Sequence, residues 1–186
     1  MHLLLLSLGD GALTRFVAEC VSRPASDVRI GIVAGAGREL LHDRGYTTVD
    51  DFSFDDVDAV YVGGGNTFRI LGDLRRSGMD LELAARVRAG LPYIGLSAGS
   101  VIVGPDIEPA ALLDDPAEAP ELGSTAGLGL IDQVVIPHAG GMLPAYPSSL
   151  IAQTLRTYGP RFPLLPVDDD QAVEVHDSTL RLIRSP

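Results

Sequence analysis

Cysteine is nearly missing: Cys20 is the only one in the chain. No disulfide can form within the chain, and zinc sites built from several cysteines are excluded. Basic residues are also scarce. Lysine and arginine together number 14 against 25 aspartates and glutamates, a formal net charge of −11. A surface of that sign repels phosphate backbones and anionic lipid, which argues against nucleic acid and membrane partners. Long apolar runs are missing too, and none approaches the ~20 residues that span a bilayer. The stretch Met1 to Leu8 is apolar but short, lacks a basic leader and is cut off by Gly9-Asp10-Gly11, so it reads as a buried strand and not as a signal peptide. These features predict a soluble, cytoplasmic protein. No internal repeat and no metal-ligating constellation stands out, and no cofactor is expected.

Apolar residues make up 46 % of the 186 positions and charged residues 21 %. That is globular usage, and the length suits one domain over residues 1–186. Short apolar runs alternate with amphipathic stretches. Strands are predicted at 3–8, 28–34, 59–62, 92–96, 133–136 and 163–166, with a terminal hairpin at 172–175 and 179–183. Helices are predicted at 12–21, 67–74, 81–87 and 148–158. Wholly apolar strands separated by helices belong to a mostly parallel sheet covered on both faces, which makes the fold class α/β, three-layer and doubly wound. Residues 104–127 hold four prolines, six acids and no base. They read as a long loop or short hairpin, more a solvated surface than a lid.

The strongest chemical signal is Gly95-Leu96-Ser97-Ala98-Gly99. It joins a predicted strand to a segment able to start a helix. A serine hydroxyl is a weak nucleophile and must be presented clear of the sheet, which a sharp strand-to-helix turn achieves. Side chains at the flanking positions would collide with the neighbouring strand and helix, hence the glycines. The Ala98 N–H would then face a developing oxyanion from a helix start, where donors are free. The plainer reading is a glycine-rich turn with a capping serine. Gly63-Gly64-Gly65-Asn66-Thr67-Phe68 also follows a strand and opens a helix. It suits a second oxyanion donor from Gly64 or Gly65. It lacks the Lys-Ser/Thr of a phosphate-binding loop and the spacing of a dinucleotide fingerprint.

A serine nucleophile needs a base. Of His2, His42, His138 and His176, only His138 lies just past the carboxyl end of a predicted strand, the edge on which open α/β sheets build their sites. The base needs an orienting acid, and Asp168-Asp169-Asp170 sits between two strands. Sequence alone leaves the choice among the three open, beside the plain alternative of a solvated acidic turn.

These blocks, with Ile136-Pro137-His138 and Val167-Asp168-Asp169-Asp170-Gln171-Ala172, resemble in kind and order the dipeptidase E and cyanophycinase family of serine peptidases. The resemblance implies a class I glutamine amidotransferase-like (flavodoxin-like) fold with serine in the nucleophile position. It implies Ser97 as nucleophile, His138 as general base and then acid, Asp169 as the orienting acid, and Gly64, Gly65 and Ala98 around the oxyanion. The chain order Ser…His…Asp fits this family better than an α/β-hydrolase. Two departures are visible. The segment between Gly37 and Asp58 is short, so a helix there is abbreviated or lost. Family members that cleave after an amino-terminal aspartate have an arginine in the stretch after the histidine, whereas Ala139 to Leu155 contains none. Arg69 and Arg156 are the substitutes in the sequence, and Asn66, Thr67 and Tyr146 are candidate pocket residues. The implied function is a serine exopeptidase acting on short peptides, as monomer or homodimer. An esterase or amidase, or a non-catalytic binder, on the same fold are the alternatives.

Overall fold

The computed structural model describes all residues, 1–186. Alternation in the first strand sets its layers. β1 (His2–Leu6) sends Leu3 and Leu5 into one core and Leu4 and Leu6 into another, all four fully buried. A strand apolar on both faces belongs inside a sheet covered on both sides. Each such leucine contributes roughly 1.5–3 kcal/mol relative to an exposed one.

β1 lies between β5 (Tyr93–Leu96), which is parallel to it, and β8 (Gln171–His176), which is antiparallel. Outward from β5 come β4 (Ala59–Val62), β2 (Arg29–Ala34) and the edge strand β3 (Thr47–Val49), all parallel. Outward from β8 comes β9 (Thr179–Arg184), antiparallel. The seven-stranded order is therefore β3-β2-β4-β5-β1-β8-β9. This is the mostly parallel α/β sheet that the apolar runs predict.

α1 (Leu13–Cys20) and α2 (Glu39–Asp43) cover the face of Leu4 and Leu6 with Leu13, Phe16, Val17 and Leu41. α3 (Thr67–Ser77) and α4 (Met79–Arg88) cover the face of Leu3 and Leu5 with Phe68, Leu71, Leu74, Leu83 and Val87. Gly78, at φ 74°, ends α3 and starts α4 in the left-handed conformation that favours glycine. α5 (Ala98–Val101) is a single turn after β5. No helix is long and apolar enough to cross a membrane.

Several expectations change in detail. The first strand ends at Leu6 and not Leu8, because buried Ser7 turns its side chain to another segment and Leu8 emerges into solvent. The short segment before Asp58 holds both a five-residue helix, α2, and the unpredicted three-residue strand β3. The apolar stretches at 133–136 and 163–166 do not join the main sheet. As β6 (Val134–Ile136) and β7 (Leu164–Pro166) they pair with each other in parallel, beside α6 (Ser148–Tyr158). Residues 104–127 form a strap of two 3-10 turns closed by one antiparallel bridge, Asp106 to Ala126, and no hairpin. Half of its six acids pair with arginines: Glu108 with Arg161, Glu118 with Arg69 and Glu121 with Arg76.

Candidate active site

Ser97 stands between β5 and α5 with φ 51° and ψ −110°, a combination L-residues rarely adopt. Such a conformation costs on the order of 1–3 kcal/mol and persists only when its surroundings impose it. They do so here. A Cβ on Gly95 would lie 2.6 Å from the Gly99 carbonyl oxygen, and one on Gly99 would lie 2.0 Å from that of Val62. The two glycines let the turn fold tightly against β4. The Ser97 N–H donates to the Leu6 carbonyl at 3.0 Å. The buried Ser100 hydroxyl donates to the same carbonyl at 2.8 Å, with that of Gly95 also within reach at 3.0 Å. Tyr93 Oη donates to the Gly99 carbonyl at 2.6 Å.

His138 follows β6 through Pro137 and is 3 % exposed. Its Nε2 lies 2.9 Å from Ser97 Oγ, and its Nδ1 lies 2.9 Å from Asp169 Oδ1. Asp169, 4 % exposed, also accepts the Met142 N–H at Oδ2. The neighbouring acids behave otherwise: Asp168 is exposed, and Asp170 pairs with Arg184. The ladder between β6 and β7 sets Ile136 beside Pro166, which brings the residues just past both strands together. An alcohol, an imidazole and a buried carboxylate in this order can pass a proton from oxygen to ring and stabilise the resulting imidazolium.

The oxyanion candidates separate. The Gly64 N–H donates to the Ala36 carbonyl at 3.2 Å, across the bridge joining these two residues. The Gly65 N–H has no such backbone partner, so of the two it is the free donor. Ala98 is the first residue of α5, and its N–H has no carbonyl within that helix to bond.

Of the pocket candidates, Thr67 and Tyr146 line the cleft with Ser97 and His138. Tyr146 stacks on the His138 ring, centroids 4.8 Å apart and planes within 10°. Burial first, and then the Asp114 carboxylate, raise its hydroxyl above the ordinary tyrosine pKa. Asn66 does not line the cleft. Its side chain caps α3 by accepting the N–H groups of Phe68 and Arg69, and its amide donates to the Asp115 carbonyl. Arg69 faces away and pairs with Glu118, while Arg156 is exposed on α6. Neither supplies a cation to the cleft.

Two residues escaped the sequence reading. Ser7 Oγ accepts the His138 N–H at 2.7 Å and reaches the Val167 carbonyl at 3.2 Å, so it ties β1 to the segments carrying base and acid. Asp114, from the acidic strap, lines the cleft itself. One further cluster, Glu19, Glu174 and His176, gathers three metal-type ligands at a separate place. There Arg15 already bonds both carboxylates.

The chain belongs to peptidase family S51, whose family model matches residues 43–183. It is 37 % identical over 126 residues to an uncharacterised peptidase of Pasteurella multocida, a match covering 67 % of this chain and 58 % of that protein. It is 38 % identical over 110 residues to peptidase E of Streptomyces coelicolor, covering 58 % of this chain and 42 % of the relative. The matches thus span about half the length of such relatives. The fold is similar to that of a Listeria monocytogenes protein described as a candidate peptidase E: TM-score 0.83, 23 % identity, 98 % of both chains covered. A peptidase from an acI-B1 actinobacterium follows with TM-score 0.66 and 17 % identity, covering 98 % of this chain and 87 % of the other.

Proposed function

We propose that this protein is a serine exopeptidase that hydrolyses short peptides through an acyl-enzyme. The observation that carries the reading is the hydrogen-bonded chain from Ser97 through His138 to Asp169, at 2.9 Å for each link. Membership in family S51 supports it. In this reading Ser97 Oγ attacks the peptide carbonyl carbon while His138 Nε2 takes the hydroxyl proton. Asp169 holds Nδ1–H and stabilises the imidazolium. The tetrahedral oxyanion rests on the N–H groups of Ala98 and Gly65, and losing one such donor typically costs ~10²–10³ in turnover. Collapse breaks the C–N bond, and Nε2 returns its proton to the leaving amine. A water then repeats the sequence on the ester and releases the acid and free Ser97.

A preference for amino-terminal aspartate is not part of the proposal. A substrate carboxylate in a partly dry cleft needs a paired cation, and none lines this one. The test is a panel of dipeptides and p-nitrophenyl esters combined with a fluorophosphonate probe. We expect dipeptide hydrolysis and covalent labelling of Ser97, both lost in Ser97→Ala with the fold retained. Folded wild-type protein that neither hydrolyses any member nor takes the label refutes the reading.

A further inference from the structure

We infer that Asp114 binds an ammonium group of the ligand beside Ser97, and that this group is the free amino terminus of a short peptide. The inference rests on the exopeptidase reading and deepens it by naming what the cleft recognises.

The starting point is charge. Among the residues that line the cleft with Ser97, His138 and Tyr146, Asp114 is the one acidic member. No arginine lies among them. The other strap acids either pair with arginines or cap their own turns, as Asp106 does to Glu108 N–H and Asp115 to Ala117 N–H. Asp114 takes part in no ion pair. Its Oδ2 accepts the Thr67 N–H at 2.9 Å and the Thr67 hydroxyl at 2.5 Å, and the Tyr146 hydroxyl stands beside the same carboxylate. These neutral donors fix the carboxylate at the start of α3 and leave its charge without a cation, in the same cleft as Ser97. A cation brought there meets a preoriented acceptor between apolar walls, where charge-assisted hydrogen bonds are strong. A ligand carboxylate meets repulsion instead.

The cleft is small, with about 240 Å³ of empty space counted out to its mouth. An amino terminus lies next to the first peptide carbonyl, so anchoring it beside Ser97 presents that carbonyl to the hydroxyl. A lysine side chain carries the same head at the end of a four-carbon stem.

Binding separates these sources and does not depend on turnover. We would titrate the Ser97→Ala protein, and the same protein carrying Asp114→Asn, with Ala-Ala, N-acetyl-Ala-Ala and N-acetyl-Lys-Ala by calorimetry. Asparagine can keep its oxygen on Thr67 and removes only the charge, and circular dichroism confirms that each variant is folded. We expect Ala-Ala to bind at least about tenfold more tightly than its acetylated form, and this preference to vanish in the Asp114→Asn protein. A preference that survives there shows that Asp114 only clamps the strap and overturns the inference, as do equal affinities for all three ligands. Recovery of full affinity by N-acetyl-Lys-Ala assigns the ammonium to a side chain and overturns the amino-terminal assignment. Absence of labelling and hydrolysis in the wild type, with this binding pattern intact, defeats the exopeptidase reading alone.

Discussion

The Oγ of Ser7 and the backbone N–H of His138 are joined by a 2.7 Å hydrogen bond that bridges the end of β1 and the residue after β6–Pro137. His138 sits at φ 59°, an unfavourable backbone conformation for a residue with a side chain, and this bond helps hold it there.

Replacing Ser7 by alanine leaves a buried N–H without its acceptor. The expected cost is about 1–3 kcal/mol, read as a lower urea midpoint with an unchanged slope. Ser7 touches no reacting atom, so its effect on hydrolysis should fall mainly on kcat, through misplacement of the imidazole. An unchanged midpoint would show that the bond contributes nothing.

Ser97→Ala and Ser97→Gly both remove the hydroxyl, and both should abolish hydrolysis. Only glycine relieves φ 51°. The relief of roughly 1–3 kcal/mol exceeds the ~0.4–1 kcal/mol by which glycine loosens the unfolded chain. The glycine variant should therefore be more stable than the alanine variant by about 1 kcal/mol. Equal midpoints in parallel urea titrations would mean that the turn is not strained.

Asp168 and Asp169 are adjacent and should behave oppositely. Asp169→Asn loses the charge that stabilises the imidazolium and can leave the ring in the wrong tautomer, and kcat should fall by about 10⁴, as in other Ser-His-Asp enzymes. Asp168→Asn alters an exposed side chain and should change kcat less than twofold. Reversed magnitudes in steady-state kinetics would reassign the acid.

Burial, and then the charges of Glu19 and Glu174, push the Cys20 thiol up to about 11. At pH 8 only about one thiol in a thousand is then ionised, so iodoacetamide should modify Cys20 slowly in the folded protein and much faster in urea. The neutral thiol is the form the folded state favours. Its contribution to stability is therefore complete below the unfolded value of about 8.5 and is lost as pH climbs towards 11. A thiol as reactive folded as unfolded would contradict this.

What could be read from the sequence was whatever local pattern encodes. The alternation of Leu3 to Leu6 encodes a two-sided strand, and the two glycines around Leu96-Ser97-Ala98 encode a turn without room for side chains. β3 is Thr47-Thr48-Val49, with two polar residues and no apolar run such as marks β6, which is why it went unread. Asn66 shows the opposite failure. Its place in a glycine-rich loop suggested a ligand contact, yet the same position before a helix also suits a cap, and the cap is what forms. Asp114 and Ser7 were illegible for a different reason. Asp114 meets Thr67 across 47 positions and Ser7 meets His138 across 131, and a single sequence carries no signal for such meetings.

Imidazole and carboxylate follow the two strands of a three-rung ribbon, β6 and β7, whereas the alcohol belongs to the seven-stranded sheet. All three members are nevertheless moored to one short stretch. The Leu6 carbonyl accepts the Ser97 N–H, Ser7 Oγ accepts the His138 N–H, and the Gly9 N–H donates to the Asp169 carbonyl. The four residues from Leu6 to Gly9 thus act as a common jig that sets the spacing of the relay.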